Sequence, residues 1–252
     1  MTLTTVKEYL MQFQIFKTYK TGLKLNKKRF EKHMGKIKGR IVNGLSRISL
    51  FFHKRKNKNK DMTIISRDCI GGLVYHQYGL QFRSPTINTF MEPEDFNRFC
   101  LNLKEYIDNG ELRLDKDRST QSNPIGLLSS KNNLSLEPVR VYFGHYDSFD
   151  DAYKKWESRK KRINWDNLFV ISSFCNDGIE KFYTKKVVDD FNKINYKKII
   201  FVNKHYGFDD EFVLSRPKNY CGNNGWIFLK NKKLNNWSRV FNKFNFTKFF
   251  NK

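Results

Sequence analysis

Apolar positions along the chain follow two periodicities. Short runs rich in β-branched and aromatic residues, MTIIS (62–66), VRVYF (139–143), NLFVISS (167–173), KKIIFV (197–202) and WIFL (226–229), predict strands, with a weaker one near 86–91. Between them, apolar residues recur every three or four positions over 71–78, 93–108, 148–161 and 185–194, which predicts helices. Two of these have readable starts. Glu92-Pro93-Glu94-Asp95 puts proline and acids in a first turn, and Asp147 or Ser148 can cap the next helix. Strands alternating with helices predict an α/β fold, a three-layer sandwich whose largely parallel or mixed sheet is covered on both faces. The polar, turn-rich stretch 115–133 interrupts this rhythm and reads as a mobile loop or short excursion.

The first sixty residues differ. Val6, Tyr9, Leu10, Phe13 and Phe16, and then Ile41, Leu45, Ile48 and Phe52, form two helical stripes with Lys and Arg between them. HKRKNKNKD (53–61) reads as a flexible charged linker. The organisation expected is thus a basic helical N-terminal arm over 1–60, followed by an α/β domain over 61–252. Charge sharpens this division. Of the formal +23, about +15 falls in residues 1–60, where 17 Lys and Arg face only Glu8 and Glu31.

Such an arm suits a polyanion, and its amphipathic stripes favour an anionic membrane surface. Two plainer readings stand beside it: one stripe packs on the domain, or the bias is compositional. The domain has no pattern of a known nucleic-acid-binding module, so no nucleic-acid partner is expected. A hydrophobic fraction of 39%, with 24 Phe and 12 Tyr, excludes global disorder. No apolar run approaches the ~20 residues of a membrane span, and the start lacks a signal-peptide core. The expected location is cytoplasmic, peripheral at the inner face of the cell membrane. Cys69, Cys100, Cys175 and Cys221 form no C-x-x-C pair, which fits reduced thiols and no bound metal.

In open parallel sheets, ligands sit beyond the carboxyl ends of the strands. Those ends carry Ser66-Arg67-Asp68-Cys69, Gly144-His145-Tyr146-Asp147, Asn176-Asp177 and Asn203-Lys204-His205. In IISRDCIGG, a strand passes through a glycine-containing turn into a helix, so Ser66, Gly71 and Gly72 offer backbone N–H groups to a phosphate or an oxyanion, or simply make a tight turn. Cys69 at that helix start is a candidate nucleophile of lowered pKa, or a small buried apolar residue. His145, beside Asp147, is the acid/base candidate, and a structural histidine is the alternative. Asp177 can orient a sugar hydroxyl or sit in an ordinary Asp-Gly turn. These strand ends carry no D-x-D pair of the kind that holds a metal–nucleotide-sugar complex, so no metal is predicted. In YKKWESRKKRINWDN (153–167), Arg159 and Arg162 either complement a helix dipole or neutralise a diphosphate. Trp165 packs in the core or stacks on a sugar.

IISRDCIGGLVYHQYGLQFRSPTIN, MEPEDFNRFCLNLKEYI, NPIGLL and FGHYDSFDDAYKKWESRKKRINWDNLFV, in this order over about residues 60–240, resemble a bacterial family of uncharacterised domains labelled exopolysaccharide biosynthesis proteins. The matching positions are Ser66, Cys69, Gly71, Gly72, Ser84, Pro85, Asp95, His145, Tyr146, Trp156, Arg159, Arg162, Asn164, Trp165 and Asn167. The resemblance implies a compact three-layer α/β fold, a basic arm and a role in capsule or surface-polysaccharide assembly. It adds Asn167 to the substrate-binding candidates.

Together these readings predict a transferase acting on a lipid-linked oligosaccharide or polysaccharide acceptor. Acyl transfer from acyl-CoA is favoured over glycosyl transfer from a nucleotide sugar, with no resident cofactor. The rival from another class is a non-catalytic glycan-assembly adaptor.

Overall fold

A computed structural model describes residues 54–120, 122–174, 183–214 and 243–251. Compactness divides the chain into Met1–Leu45 and Ser46–Lys252, and every described residue belongs to the second unit. The arm's stripes up to residue 53, the strand expected at 226–229 and Asp177 lie outside the described residues.

The central sheet is parallel throughout, in the order β1 (Thr63–Ser66), β5 (Leu168–Phe174), β6 (Lys197–Val202), β7 (Glu211–Val213). All of β1 and β5, and all of β6 except Lys197, are buried. That is why these strands read as continuous apolar runs in place of alternating ones. Their side chains still alternate between two cores. Ile64, Phe169, Ile171, Ile199 and Phe201 pack on one face with Ile70, Val74 and Tyr75 of α1 (Ile70–Tyr78). Ile65, Val170, Ile200 and Val202 pack on the other with α2 (Pro93–Leu101), α3 (Leu103–Asp108), α4 (Phe149–Lys160) and α5 (Lys185–Asn192). The short α6 (Phe246–Phe250) closes the first face through Phe246 and Phe250.

A second sheet, antiparallel and in the order β2 (Gly110–Leu114), β3 (Ile125–Ser130), β4 (Val139–Tyr142), adds Leu112, Leu128, Val139 and Val141 to the larger core. This corrects two expectations. β4 does not join the parallel sheet, and the excursion at 115–133 contains a strand. Gly126, Ser129 and Ser130 dilute the apolar signal of β3, although the strand is sandwiched between two neighbours. At 86–91 there is only an isolated bridge from Phe90 to Tyr142. The helix expected over 93–108 breaks at Asn102, whose φ is −120°.

Helix ends follow local chemistry. Ser148 accepts a hydrogen bond from Asp151 N–H and caps α4, and Thr184 caps α5 in the same way. Gly79 ends α1 with φ +60°, a left-handed conformation that costs glycine little. The stretch expected to be a free linker instead lies against the domain. Asn57 is fully buried, Asn59 donates to Asn167 and to the Phe250 carbonyl, and Lys58 N–H donates to Asn251. Among the described residues, no helix is long and apolar enough to cross a membrane.

Candidate functional site

β1 ends in a buried polar network that fixes the turn after it. Arg67, 1% exposed, lies between the rings of Phe90 and Phe174 and donates to the carbonyls of Met91 (3.2 Å) and Ser173. Its neighbour Asp68, 6% exposed, accepts from Ser173 Oγ and from Ile70 N–H. The Arg67–Asp68 ion pair at 3.8 Å offsets part of the cost of burying both charges.

Ser66 is fully buried, and its hydroxyl donates to the Asp68 carbonyl at 2.9 Å. It therefore shapes the turn from inside. Gly71 has a packing reason to be glycine: a Cβ there would lie 2.4 Å from Ser66 Oγ. The missing side chain lets α1 approach β1 closely.

Cys69 sits at the N-cap position of α1, and its Sγ is 3.1 Å from His145 Nε2. The two are 76 residues apart in sequence and come from different sheets: Cys69 follows β1, and His145 follows β4. The bridge from Phe90 to Tyr142, with hydrogen bonds in both directions, draws β4 toward the end of β1. Tyr146 ties down the turn by donating to the Ile87 carbonyl. Cys69, Gly72, Leu73, His76, Phe82, Asn88 and His145 line a cleft of about 420 Å3.

Of the first-turn amides of α1, Ile70 N–H is taken by Asp68 Oδ1 and Leu73 N–H by the Cys69 carbonyl. Gly71 and Gly72 are the other two, and a first turn has no intrahelical acceptor for them. Asn88 faces Gly72 across the cleft wall. It has φ +59°, a backbone region that asparagine tolerates better than most residues.

Burial pushes the Cys69 thiol up to about 12, and the carboxylate of Asp68 adds to the shift. The lowered pKa expected from the helix start is therefore not what the site produces. Desolvation and a neighbouring anion outweigh the helix-terminal backbone. The resting thiol therefore keeps its proton, within hydrogen-bond reach of His145 Nε2.

The other expected positions separate. Arg159, 9% exposed, donates to Tyr146 Oη at 2.7 Å, and its guanidinium lies over Phe82. Arg162 donates to the Phe82 carbonyl and to Ser158 Oγ. Both line a second groove, which shares Phe82 with the cleft. Trp165 and Asn167 lie at the other end of the sheet, in a 3-10 turn just before β5. Trp165 packs against the larger core, and Asn167 binds Asn59 and Asp61. Neither reaches Cys69. Asp115-Lys116-Asp117 is a D-x-D triplet, but it follows β2, and Asp115 pairs with Arg140 at 3.5 Å. Among the described residues, no three His, Cys, Asp or Glu side chains converge as a metal site requires.

Sequence reasoning did not single out His76, Phe82 or Asn88, and it left the part played by Asp68 open. Asp68 stood among the strand-end polar residues without a role assigned to it, and only the fold brings the other three to the cleft.

The fold and this cleft define an α/β protein with a thiol–imidazole pair at the C-terminal rim of a parallel sheet. Residues 43–251 match the family model described as "Domain of unknown function (DUF1919)", and the chain belongs to that family. An "Uncharacterized protein" of Haemophilus influenzae is 29% identical over 206 residues, 79% of this chain and 88% of the relative.

Proposed function

We propose that this protein is a transferase that moves an acyl group to a hydroxyl of a lipid-linked surface glycan, with Cys69 as nucleophile and His145 as base. The observation that carries this reading is the 3.1 Å contact between Cys69 Sγ and His145 Nε2 in a cleft with apolar walls. Nucleophile and base within hydrogen-bond reach are the minimal apparatus of covalent catalysis.

In the first half-reaction, Sγ attacks the acyl carbonyl and its proton passes to Nε2. The N–H of Gly72, which borders the cleft, receives the oxyanion. The carrier then leaves with the proton from His145, and the acyl group remains on Cys69 as a thioester. In the second half, the acceptor hydroxyl gives its proton to Nε2 and attacks the thioester. An ester forms and the Cys69 thiol returns. With the thiol pKa raised, this chemistry requires His145 to take the proton as the bond to carbon forms.

The glycan acceptor rests on the resemblance to exopolysaccharide biosynthesis proteins. The basic arm supports a location at an anionic membrane, where lipid-linked glycans are built. Cosedimentation tests that part: the full chain pellets with anionic vesicles at low salt and is released by salt, whereas binding that ignores salt contradicts it. The transfer itself is tested by complementing a strain that lacks the protein with wild type or Cys69→Ser. Wild type restores ester-linked acyl groups on the surface glycan, and Cys69→Ser does not. A glycan that lost sugars but kept its acyl groups in the deletion strain would support glycosyl transfer with His145 as base. Restoration by Cys69→Ser would reject Cys69 as nucleophile.

A further inference from the structure

We infer that the groove along α4, next to the Cys69–His145 cleft, binds a diphosphate, and that the donor is therefore a carrier with a diphosphate in its structure. The inference rests on the transferase reading for the word donor, but the binding site stands on its own observations. Leu80, Gln81, Phe82, Lys154, Lys155, Ser158, Arg159 and Arg162 enclose about 470 Å3. Phe82 lines this groove and the cleft alike, so an occupant of one borders an occupant of the other.

Charge is the first reason. Four cations line the groove, and no carboxylate does. Lys155 pairs with Asp151 at 2.7 Å, but among the described residues Lys154, Arg159 and Arg162 have no acidic partner within 4 Å. Arg159 is the telling member. It is nine-tenths buried, and it donates to neutral oxygens, Tyr146 Oη and the Ile87 carbonyl. A buried cation without a counter-ion is costly, and an anionic ligand supplies the missing charge.

Dimension is the second reason. From Lys154 to Arg159 the basic stripe covers about 7.5 Å of α4 at ~1.5 Å per residue, and Arg162 extends it past the helix end, longer than one phosphate needs. Arg162 and Ser158 are already fixed to each other at 2.8 Å, which presets part of the stripe. The helix dipole explains cations in the last turn of α4, and Lys160 is satisfied there by Glu157. It does not explain Lys154 near mid-helix or the inward burial of Arg159. Coenzyme A and nucleotide sugars both contain a diphosphate, so the groove serves either donor class.

Titration calorimetry of the full chain with inorganic pyrophosphate tests the site. Lys154 and Lys155 are exposed, so Lys154→Gln/Lys155→Gln leaves the fold intact. It should weaken pyrophosphate binding at least tenfold, as should Arg162→Gln, while Lys186→Gln on α5 leaves binding unchanged. No heat of binding, or an isotherm that the double variant leaves unaltered, overturns the proposal. Parallel titrations distinguish the source: coenzyme A tighter than a uridine diphosphate sugar assigns an acyl donor, and the reverse assigns a nucleotide sugar. Cys69→Ser should bind pyrophosphate as wild type does. Failure of the groove thus shows as lost binding with Cys69 still reactive. Failure of the nucleophile shows as binding retained with no acyl-enzyme.

Discussion

Asn167, just before β5, uses both amide donors and its carbonyl on Asn59 and Asp61, whereas Cys69, just after β1, faces His145 in an open cleft. The two residues mark opposite ends of the parallel sheet, since Thr63 of β1 is in register with Leu168 of β5. At the Asn167 end the polar groups bind one another and join the segment before β1 to the one before β5. Asn164 adds bonds to Asp61 and to Thr63 Oγ1. At the Cys69 end a similar density of polar groups divides in two. Arg67, Asp68 and Ser173 bind one another and the nearby backbone beneath the surface, and the thiol and the imidazole line the cleft above it. The difference separates residues that hold the sheet from residues able to meet a ligand.

The largest expected effect breaks the open end alone. His145→Gln should lower transfer by about 10²–10⁴-fold, the usual cost of losing a general base. His145 is exposed, so the melting temperature should barely move. A folded variant with undiminished transfer would remove His145 from the chemistry.

The next effect concerns the thiol's charge. With its pKa near 12, Cys69 has little thiolate at neutral pH, and its iodoacetamide rate should rise about tenfold per pH unit from pH 7 upward. A fast rate already level at pH 7 would reveal a preformed thiolate–imidazolium pair. The sign for stability follows from the same shift. The folded thiol keeps its proton at pH values where an unfolded one, at 9.0, loses it. Its contribution is therefore complete below pH 9 and declines as pH rises toward 12.

At the closed end, Asn167→Ala should cost about 1–3 kcal/mol of stability by leaving Asn59 and Asp61 partly unsatisfied. Chemical denaturation measures this, and transfer per folded molecule should stay at the wild-type level. A catalytic defect at full folding would return Asn167 to the substrate-binding candidates.

The pattern of apolar runs made the parallel strands β1, β5 and β6 legible, because both faces of each are buried and the run is unbroken. In the antiparallel sheet β4 was legible as a strand, but β2 and β3 were not. β3 interleaves serine and glycine with its apolar residues and depends on β2 and β4 to be a strand at all. For the same reason, the rim argument brought His145 to Cys69 by an incorrect route. It treated β4 as a parallel neighbour, whereas the segment of Phe90 and Met91, bridged to Tyr142 and bonded to the Arg67 carbonyl, makes the approach. Gly71 and Gly72 look alike in sequence, and the structure distinguishes them. Gly71 packs on Ser66, and Gly72 borders the cleft. Gly71→Ala tests that distinction: about 1–3 kcal/mol of stability should be lost from a Cβ forced against Ser66. Unchanged stability would show that α1 does not need the close approach.

The most direct test of the central claim is to trap the acyl-enzyme. The full chain is incubated with p-nitrophenyl acetate, quenched in acid and mapped by peptide mass spectrometry. The account predicts a thioester-linked acetyl on Cys69, absent in Cys69→Ser and formed at least tenfold more slowly in His145→Gln, with the buried Cys100 unmodified. Acetylation of Cys69 at the same rate with and without His145, or no acetylation of Cys69 at all, would contradict it.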